Sequence, residues 1–143
     1  LQVAKDMIKV GNAVERLAKV GTEVSLFIDP VKEQVDAAHK VGAPYIEFHT
    51  GAYANAKSKK ERHECLEQIA RMAQYASDLG LHVNSGHGLT YENVAPIAAI
   101  EQMEELNIGH SIIARAIFVG LPQAVQEMKK IMQEARRFPA QYQ

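Results

Sequence analysis

Four short strand patterns that alternate with helix patterns limit this chain to a narrow set of folds. The predicted strands cover residues 24–29, 45–51, 81–84 and 105–109, and an amphipathic helix at residues 3–20 precedes the first of them. Strands that alternate with helices form a parallel sheet with right-handed crossovers. The sequence therefore predicts an α/β fold, either an open doubly wound sheet or part of a (β/α)8 barrel.

The two faces of the predicted strands differ in polarity, because side chains two residues apart share a face. The apolar face comprises Val24, Leu26, Ile28, Ile46, Phe48, Leu81, Val83, Leu106 and Ile108. The other face comprises Ser25, Phe27, Asp29, Tyr45, Glu47, His49, His82, Asn84, Glu105 and Asn107. An open sheet with helices on both faces would be apolar on both. A polar inner face instead favours a barrel with its site at the C-terminal mouth of the strands.

The length of the chain suits only part of such a barrel. A complete (β/α)8 barrel takes typically about 250 residues, whereas this chain has 143 residues and four predicted strands. We therefore expect residues 1–143 to be half of one barrel domain. The helix pattern is already under way near Leu1, with no initiator Met, so we expect the chain to be part of a longer protein.

Capping residues and helix breakers set the expected helix boundaries. Asp29 is expected to cap a helix in which Pro30 takes the first position, and Thr90 to cap a helix over residues 90–100. Pro96 predicts that this helix is irregular. A polar loop is expected from the end of the second strand through Lys57.

Composition and charge exclude several classes of function. The net charge is −1, from 16 basic and 17 acidic residues, so no electrostatic footprint points to nucleic acid or to a membrane surface. No apolar run approaches the roughly 18–20 residues that a membrane span needs. With no signal-peptide pattern and a single cysteine, Cys65, we expect a cytoplasmic protein.

Two residues are candidate catalytic groups. Glu47 lies within a strand on the polar face, where a carboxylate is either a structural ion-pair member or a working acid or base. His87 stands between two glycines at the end of the third strand, which presents its imidazole on exposed backbone. The alternative for His87 is a turn histidine without a catalytic duty. His49 shares the face of Glu47, and we interpret it as a rim histidine bonded to a neighbouring loop.

A phosphate site is predicted where the fourth strand gives way to a short helix. The N–H groups at a helix N-terminus bind anions, and barrels commonly hold phosphate in the loops after their last two strands. If these are the last four strands, Gly88, Gly109 and His110 lie in those loops. Arg115 either supports the anion or is solvated. A divalent metal on Glu47, His49, His87 and His110 is an alternative, although no His-Glu-x-x-His motif is present.

Four blocks of the sequence resemble a known family. The blocks are VSLFID at residues 24–29, IEFHTG at 46–51, VNSGHGL at 83–89 and LNIGHSIIARA at 106–116. In this order and spacing they resemble the second half of the pyridoxine 5′-phosphate synthases of the deoxyxylulose-phosphate-dependent route to vitamin B6. The resemblance runs through essentially the whole chain and implies strands 5–8 of a (β/α)8 TIM barrel, usually cytoplasmic and homo-oligomeric.

The resemblance also implies an activity and a set of site residues. The activity is condensation of 3-amino-2-oxopropyl phosphate with 1-deoxy-D-xylulose 5-phosphate to pyridoxine 5′-phosphate, phosphate and water, without a metal or another cofactor. Glu47 matches the glutamate that stabilises charged intermediates, and His87 matches the proton-donating histidine. Gly88, Gly109 and His110 match positions that bind substrate or product, the last two near a phosphate.

The chain departs from the family because it lacks the residues of the family's first half. These include another catalytic histidine, a catalytic glutamate, arginines and an asparagine/aspartate substrate-binding segment. The N-terminal half of the barrel is therefore expected to be required for activity. The rival hypothesis is a non-catalytic half-barrel that binds phosphorylated ligands or a partner half. A smaller departure is Ser85, where the family resemblance leads us to expect alanine.

Overall fold

The computed structural model describes residues 1–142 and alternates strands with helices as the sequence predicts. In chain order the elements are α1 (Met7–Ala18), β1 (Ser25–Ile28), α2 (Lys32–Lys40), β2 (Tyr45–His49), α3 (Gly51–Ala54), α4 (Lys59–Asp78), β3 (His82–Gly86), α5 (Val94–Ala98), β4 (Met103–Asn107), α6 (His110–Val119) and α7 (Leu121–Arg137), with a 3-10 helix at Pro139–Gln141. None of the helices in this part of the chain is both long and apolar enough to cross a membrane.

The four strands pair in parallel in the order β1-β2-β3-β4. Each strand is therefore added next to the one before it, and the C-terminal ends of all four lie along one edge. A doubly wound sheet reverses its strand order at a switch point, and no reversal occurs among these four strands. The parallel α/β sheet is confirmed, and its order is the one that consecutive strands of a barrel have.

The predicted difference between the two strand faces is confirmed. Ile28, Ile46, Phe48 and Val83 are fully buried beneath the helices, and they belong to the main hydrophobic core together with side chains from α4, α5 and α7. On the opposite face Glu47 and its neighbours along β2 remain partly exposed. The helices thus cover one side of the sheet, which leaves the polar side open in residues 1–142.

Two predicted helix starts are wrong, because local turns delay the helices. The N–H of Val31 donates to the carbonyl of Asp29 at 2.8 Å, and α2 begins only at Lys32 with Val31 as its N-cap. The N–H of Thr90 donates to Asn93 Oδ1 at 2.7 Å. Residues 91–93 consequently form a turn, and α5 starts at Val94.

Other boundaries also differ from the predictions, among them that of the third strand, which extends to Gly86. The first helix starts at Met7 because residues 3–5 form a turn that buries Val3. The expected loop after β2 contains the short helix α3. Strand β4 is displaced by two residues toward the N-terminus: Val83 pairs with Met103 and Asn84 with Glu105, so Glu104 is an extra residue of a β-bulge. The irregular helix expected around Pro96 is the five-residue α5.

Candidate active site

A cleft of about 420 Å³ opens at the C-terminal ends of β2, β3 and β4. Its lining includes all five predicted site residues, Glu47, His87, Gly88, Gly109 and His110, together with Phe27, Leu89, Asn107 and Ile108. The predicted residues come from the middle of β2, from the loop after β3 and from the junction between β4 and α6. Parallel pairing brings them together because it places the carboxyl ends of all the strands at one edge.

Glu47 lies on the floor of the cleft, in the middle of β2. It pairs with Phe27 of β1 and Asn84 of β3, and its Oε2 accepts a hydrogen bond from Asn107 Nδ2 at 3.0 Å. Its other oxygen, Oε1, lies over Gly86, where a Cβ would collide with it. Glycine at this position therefore makes room for the carboxylate.

Burial is the main influence on the ionisation of Glu47. Removal from water raises the pKa of this carboxyl above its ordinary value, the hydrogen bond from Asn107 lowers it, and the neighbouring Glu105 carboxylate raises it. A partly desolvated carboxylate with one neutral donor gains strongly from a positive charge placed beside it. The site therefore favours a cationic group in the cleft.

His87 is held in a backbone conformation that side chains rarely adopt. Its φ is +76°, and within residues 1–142 it is the one non-glycine residue with a positive φ. Gly88 follows with φ +81°, and a Cβ on that glycine would lie 2.7 Å from the Cβ of Ala54. Backbone outliers of this kind concentrate at functional sites because they fix the direction of a side chain.

His49 stands beside the cleft and does not line it. Its Nδ1 lies 3.4 Å from Asp29 Oδ1 at the end of β1, and its ring meets that of Phe27 edge-on at 5.2 Å between centroids. The ring of His87 is 4.9 Å away. The interpretation of His49 as a rim histidine agrees with these contacts.

Gly109 and His110 form the start of α6 at the far side of the cleft. The first bond of this helix runs from the N–H of Ile113 to the carbonyl of Gly109, at 3.0 Å, and no side chain caps the helix. The N–H groups of its first turn thus have no partner within the helix. The Ser111 hydroxyl donates to the Leu89 carbonyl at 2.8 Å and ties α6 to the loop after β3.

Arg115 is engaged in an ion pair. Its Nε and Nη2 donate to the carboxylate of Glu127 on α7, at 2.8 and 3.2 Å. This pairing raises the pKa of Arg115 further. The arginine therefore joins two helices.

The metal alternative has no matching geometry. A metal site would need at least three of the proposed ligands Glu47, His49, His87 and His110 close together. Among residues 1–142, no three His, Cys, Asp or Glu side chains converge in this way. Glu47 instead bonds to an amide.

Two residues important for the geometry were not among the predicted site residues. Asn107 donates a hydrogen bond to Glu47. Its position on the polar face, next to a strand end, is the sequence feature from which this role could have been predicted. Thr50 binds the backbone of the loop after β3, and no local pattern distinguishes it from an ordinary strand-end threonine.

Comparison with known proteins places the chain in a family. Residues 1–134 match the family model described as "Pyridoxal phosphate biosynthesis protein PdxJ". The chain is also 58% identical over 129 residues to proteins named pyridoxine 5′-phosphate synthase from the Corby, Lens and Paris strains of Legionella pneumophila. The match covers 90% of this chain and 52% of each relative, so the chain spans about half the length of the curated relatives it matches. The chain belongs to the PdxJ family.

Proposed function

We propose that residues 1–143 are strands 5–8 and the accompanying helices of a single (β/α)8 barrel domain, and that the barrel is a pyridoxine 5′-phosphate synthase. The observation that carries the proposal is the meeting of Glu47, His87 and the N-terminus of α6 in one cleft of a PdxJ-family chain. Four consecutive parallel strands without a reversal support the barrel.

Uncovered apolar surface supports a missing half of the barrel. Ile117 and Phe118 of α6 are 78% and 84% exposed in residues 1–142, and Phe27 on the open face of the sheet is 39% exposed. Large exposed apolar side chains next to one another on one helix, as Ile117 and Phe118 are, mark a place where another segment packs. In a closed barrel the other four strands cover the open face, and the helices next to them cover α6.

The proposed reaction joins 3-amino-2-oxopropyl phosphate and 1-deoxy-D-xylulose 5-phosphate to give pyridoxine 5′-phosphate, phosphate and water. An amine that condenses with a carbonyl passes through a protonated imine, which carries a positive charge. Glu47 is proposed to stabilise that charge, because its partly buried carboxylate has only a neutral donor beside it.

His87 is proposed to donate a proton in the later steps, since imidazole changes its charge near neutral pH. Gly88, Gly109 and His110 are proposed to hold a phosphate group against the first turn of α6. The complete protein is proposed to be a homo-oligomer that acts on small phosphorylated substrates, with no metal or cofactor, and not on nucleic acid or membranes.

A second candidate is a non-catalytic half-barrel that binds phosphorylated ligands or a partner half. It is favoured by the strand edges, because β1 and β4 each pair with only one strand in the described part of the chain, and unpaired edges promote association. Both candidates use the same cleft, and only the first makes product.

The test is an assay of the complete protein that contains this chain, with the two proposed substrates and chromatographic detection of pyridoxine 5′-phosphate. We expect product from the complete protein and none from residues 1–143 alone. Binding of phosphorylated ligand without product formation by the complete protein would contradict the first candidate and favour the second.

A further inference from the structure

His87 needs contacts with other residues to hold its unfavourable backbone conformation. A φ of +76° costs a residue with a Cβ free energy that glycine would not lose, and here it occurs at the one such residue of the described chain. Conformations of this kind persist only where surrounding contacts determine them. Contacts that fix the backbone of residues 86 and 87 therefore decide where the imidazole points.

Thr50 supplies those contacts from the end of β2. It is fully buried, and its N–H donates to the carbonyl of Gly86 at 2.9 Å. Its Oγ1 lies 2.7 Å from the carbonyl oxygen of Gly86 and 2.6 Å from that of His87. A hydroxyl has one proton, so it donates to one of these carbonyls at a time. Both carbonyl oxygens nevertheless stay within hydrogen-bonding distance of it.

The side chain of Thr50 is used in an unusual way for its position. Thr50 is the N-cap residue of α3, where a threonine hydroxyl ordinarily accepts a hydrogen bond from the first turn of the helix. It makes no such bond here. The hydroxyl is directed instead to the neighbouring strand end, across 37 residues of sequence.

The rest of the loop after β3 is held by other residues. Asn93 Nδ2 donates to the carbonyl of Gly88 at 3.1 Å, and the Ser111 hydroxyl donates to that of Leu89 at 2.8 Å. Only Thr50 reaches the carbonyl of His87 among the residues of 1–142. Fixation of the His87 carbonyl therefore depends on a single hydroxyl.

We propose that Thr50 is a positioning residue whose buried hydroxyl holds the left-handed backbone of His87 and thereby directs the His87 imidazole into the cleft. Its effect on turnover rests on the proposed function, whereas its effect on the geometry of His87 does not. The two consequences are therefore tested separately.

The kinetic test compares three variants of the complete protein. Thr50→Val keeps the shape of the side chain and removes the hydroxyl, and we expect kcat to fall at least about tenfold with KM nearly unchanged. Thr50→Ser keeps the hydroxyl and should recover most of kcat. Ser85→Ala is the matched control, because it removes a buried hydroxyl from β3 that bonds to Met103 Sδ and not to the loop.

The structural test measures the histidine ring resonances of the same variants by NMR, with the His87 signal assigned from its loss in His87→Asn. We expect Thr50→Val to shift or broaden the His87 signal, and Thr50→Ser and Ser85→Ala to leave it in place. If the wild-type protein makes no product, the proposed function fails, and the NMR result still decides the role of Thr50.

Two results would overturn the role of Thr50. One is an unchanged His87 signal in a folded Thr50→Val protein, and the other is a Thr50→Ser protein as impaired as Thr50→Val. If Thr50→Val does not fold, the double variant Thr50→Val with His87→Gly is expected to fold, because glycine adopts the left-handed conformation without help. Failure of that double variant would also contradict the proposal.

Discussion

Gly86→Ala is the substitution for which the structure predicts the sharpest effect. A Cβ at this position would collide with Glu47 Oε1 and would lie 3.0 Å from the carbonyl oxygen of Asn107 and 3.1 Å from its Cβ. The glutamate can move, but moving it breaks its hydrogen bond to Asn107 Nδ2. The Asn107 carbonyl cannot move far, because Gly86 and Asn107 are paired in the sheet.

The magnitude follows from these two costs. Overpacking in a fixed environment costs about 1–3 kcal/mol, and loss of a hydrogen bond to a charged group costs about 1.5–3 kcal/mol. Replacement of a strand glycine by alanine returns about 0.5–1 kcal/mol of backbone entropy. We therefore expect Gly86→Ala to lower the free energy of unfolding by about 3 kcal/mol.

Urea unfolding followed by circular dichroism measures this difference. Gly11→Ala is the matched control, because a Cβ at Gly11 in α1 would meet Val41 Cγ1 at an ordinary 3.7 Å. It should raise stability by about 0.5–1 kcal/mol. A Gly86→Ala protein as stable as the wild type would refute the packing of Glu47 against Gly86.

Three further predictions test other parts of the structure. Burial raises the pKa of Glu47, so the folded protein binds this proton more tightly than the unfolded chain and loses stability as pH rises through the folded pKa. Glu47→Gln cannot titrate and should lose less stability between about pH 4 and about pH 7, as urea unfolding at both pH values would show. His87→Asn keeps a residue that tolerates a positive φ, and it should lower kcat of the complete protein by about 10²-fold or more with little change in KM. Unchanged turnover in steady-state kinetics would show that His87 has no role in the reaction. Phe48→Ala deletes a fully buried ring and should lower the free energy of unfolding by about 3–5 kcal/mol. Val20→Ala, at a 76% exposed position, should lower it by less than about 0.5 kcal/mol. Equal losses in the two variants would contradict the assignment of the core.

The parts of the fold that follow from local periodicity were predictable. Alternation of apolar and polar residues places Ile46 and Phe48 beneath the helices and Glu47 on the open face. The two-residue repeat of a strand is enough to predict which side chains lie on which face. The convergence of Glu47, His87 and His110 follows as well. Glu47 was placed on the polar strand face and the two histidines after strand ends, and parallel pairing brings that face and those ends together.

The parts that depend on distant contacts were not predictable from local patterns. Asp29 and Thr90 have the residue types of helix caps, but their turns are closed by bonds that delay the helices. The bulge at Glu104 displaces β4, because register is set by the partner strand and not by the strand's own residues. The bond from Thr50 to the His87 carbonyl joins residues far apart in the chain, and sequence spacing carries no sign of it.

Reconstitution from two separate chains tests whether residues 1–143 supply half of a working synthase. Residues 1–143 would be mixed with the separately produced segment of a Legionella pneumophila relative that the match leaves uncovered, and pyridoxine 5′-phosphate formation from the two proposed substrates would be followed. We expect product only from the mixture, and little product when the mixture carries His87→Asn. A mixture that assembles without making product, or that makes it equally well with His87→Asn, would contradict the account.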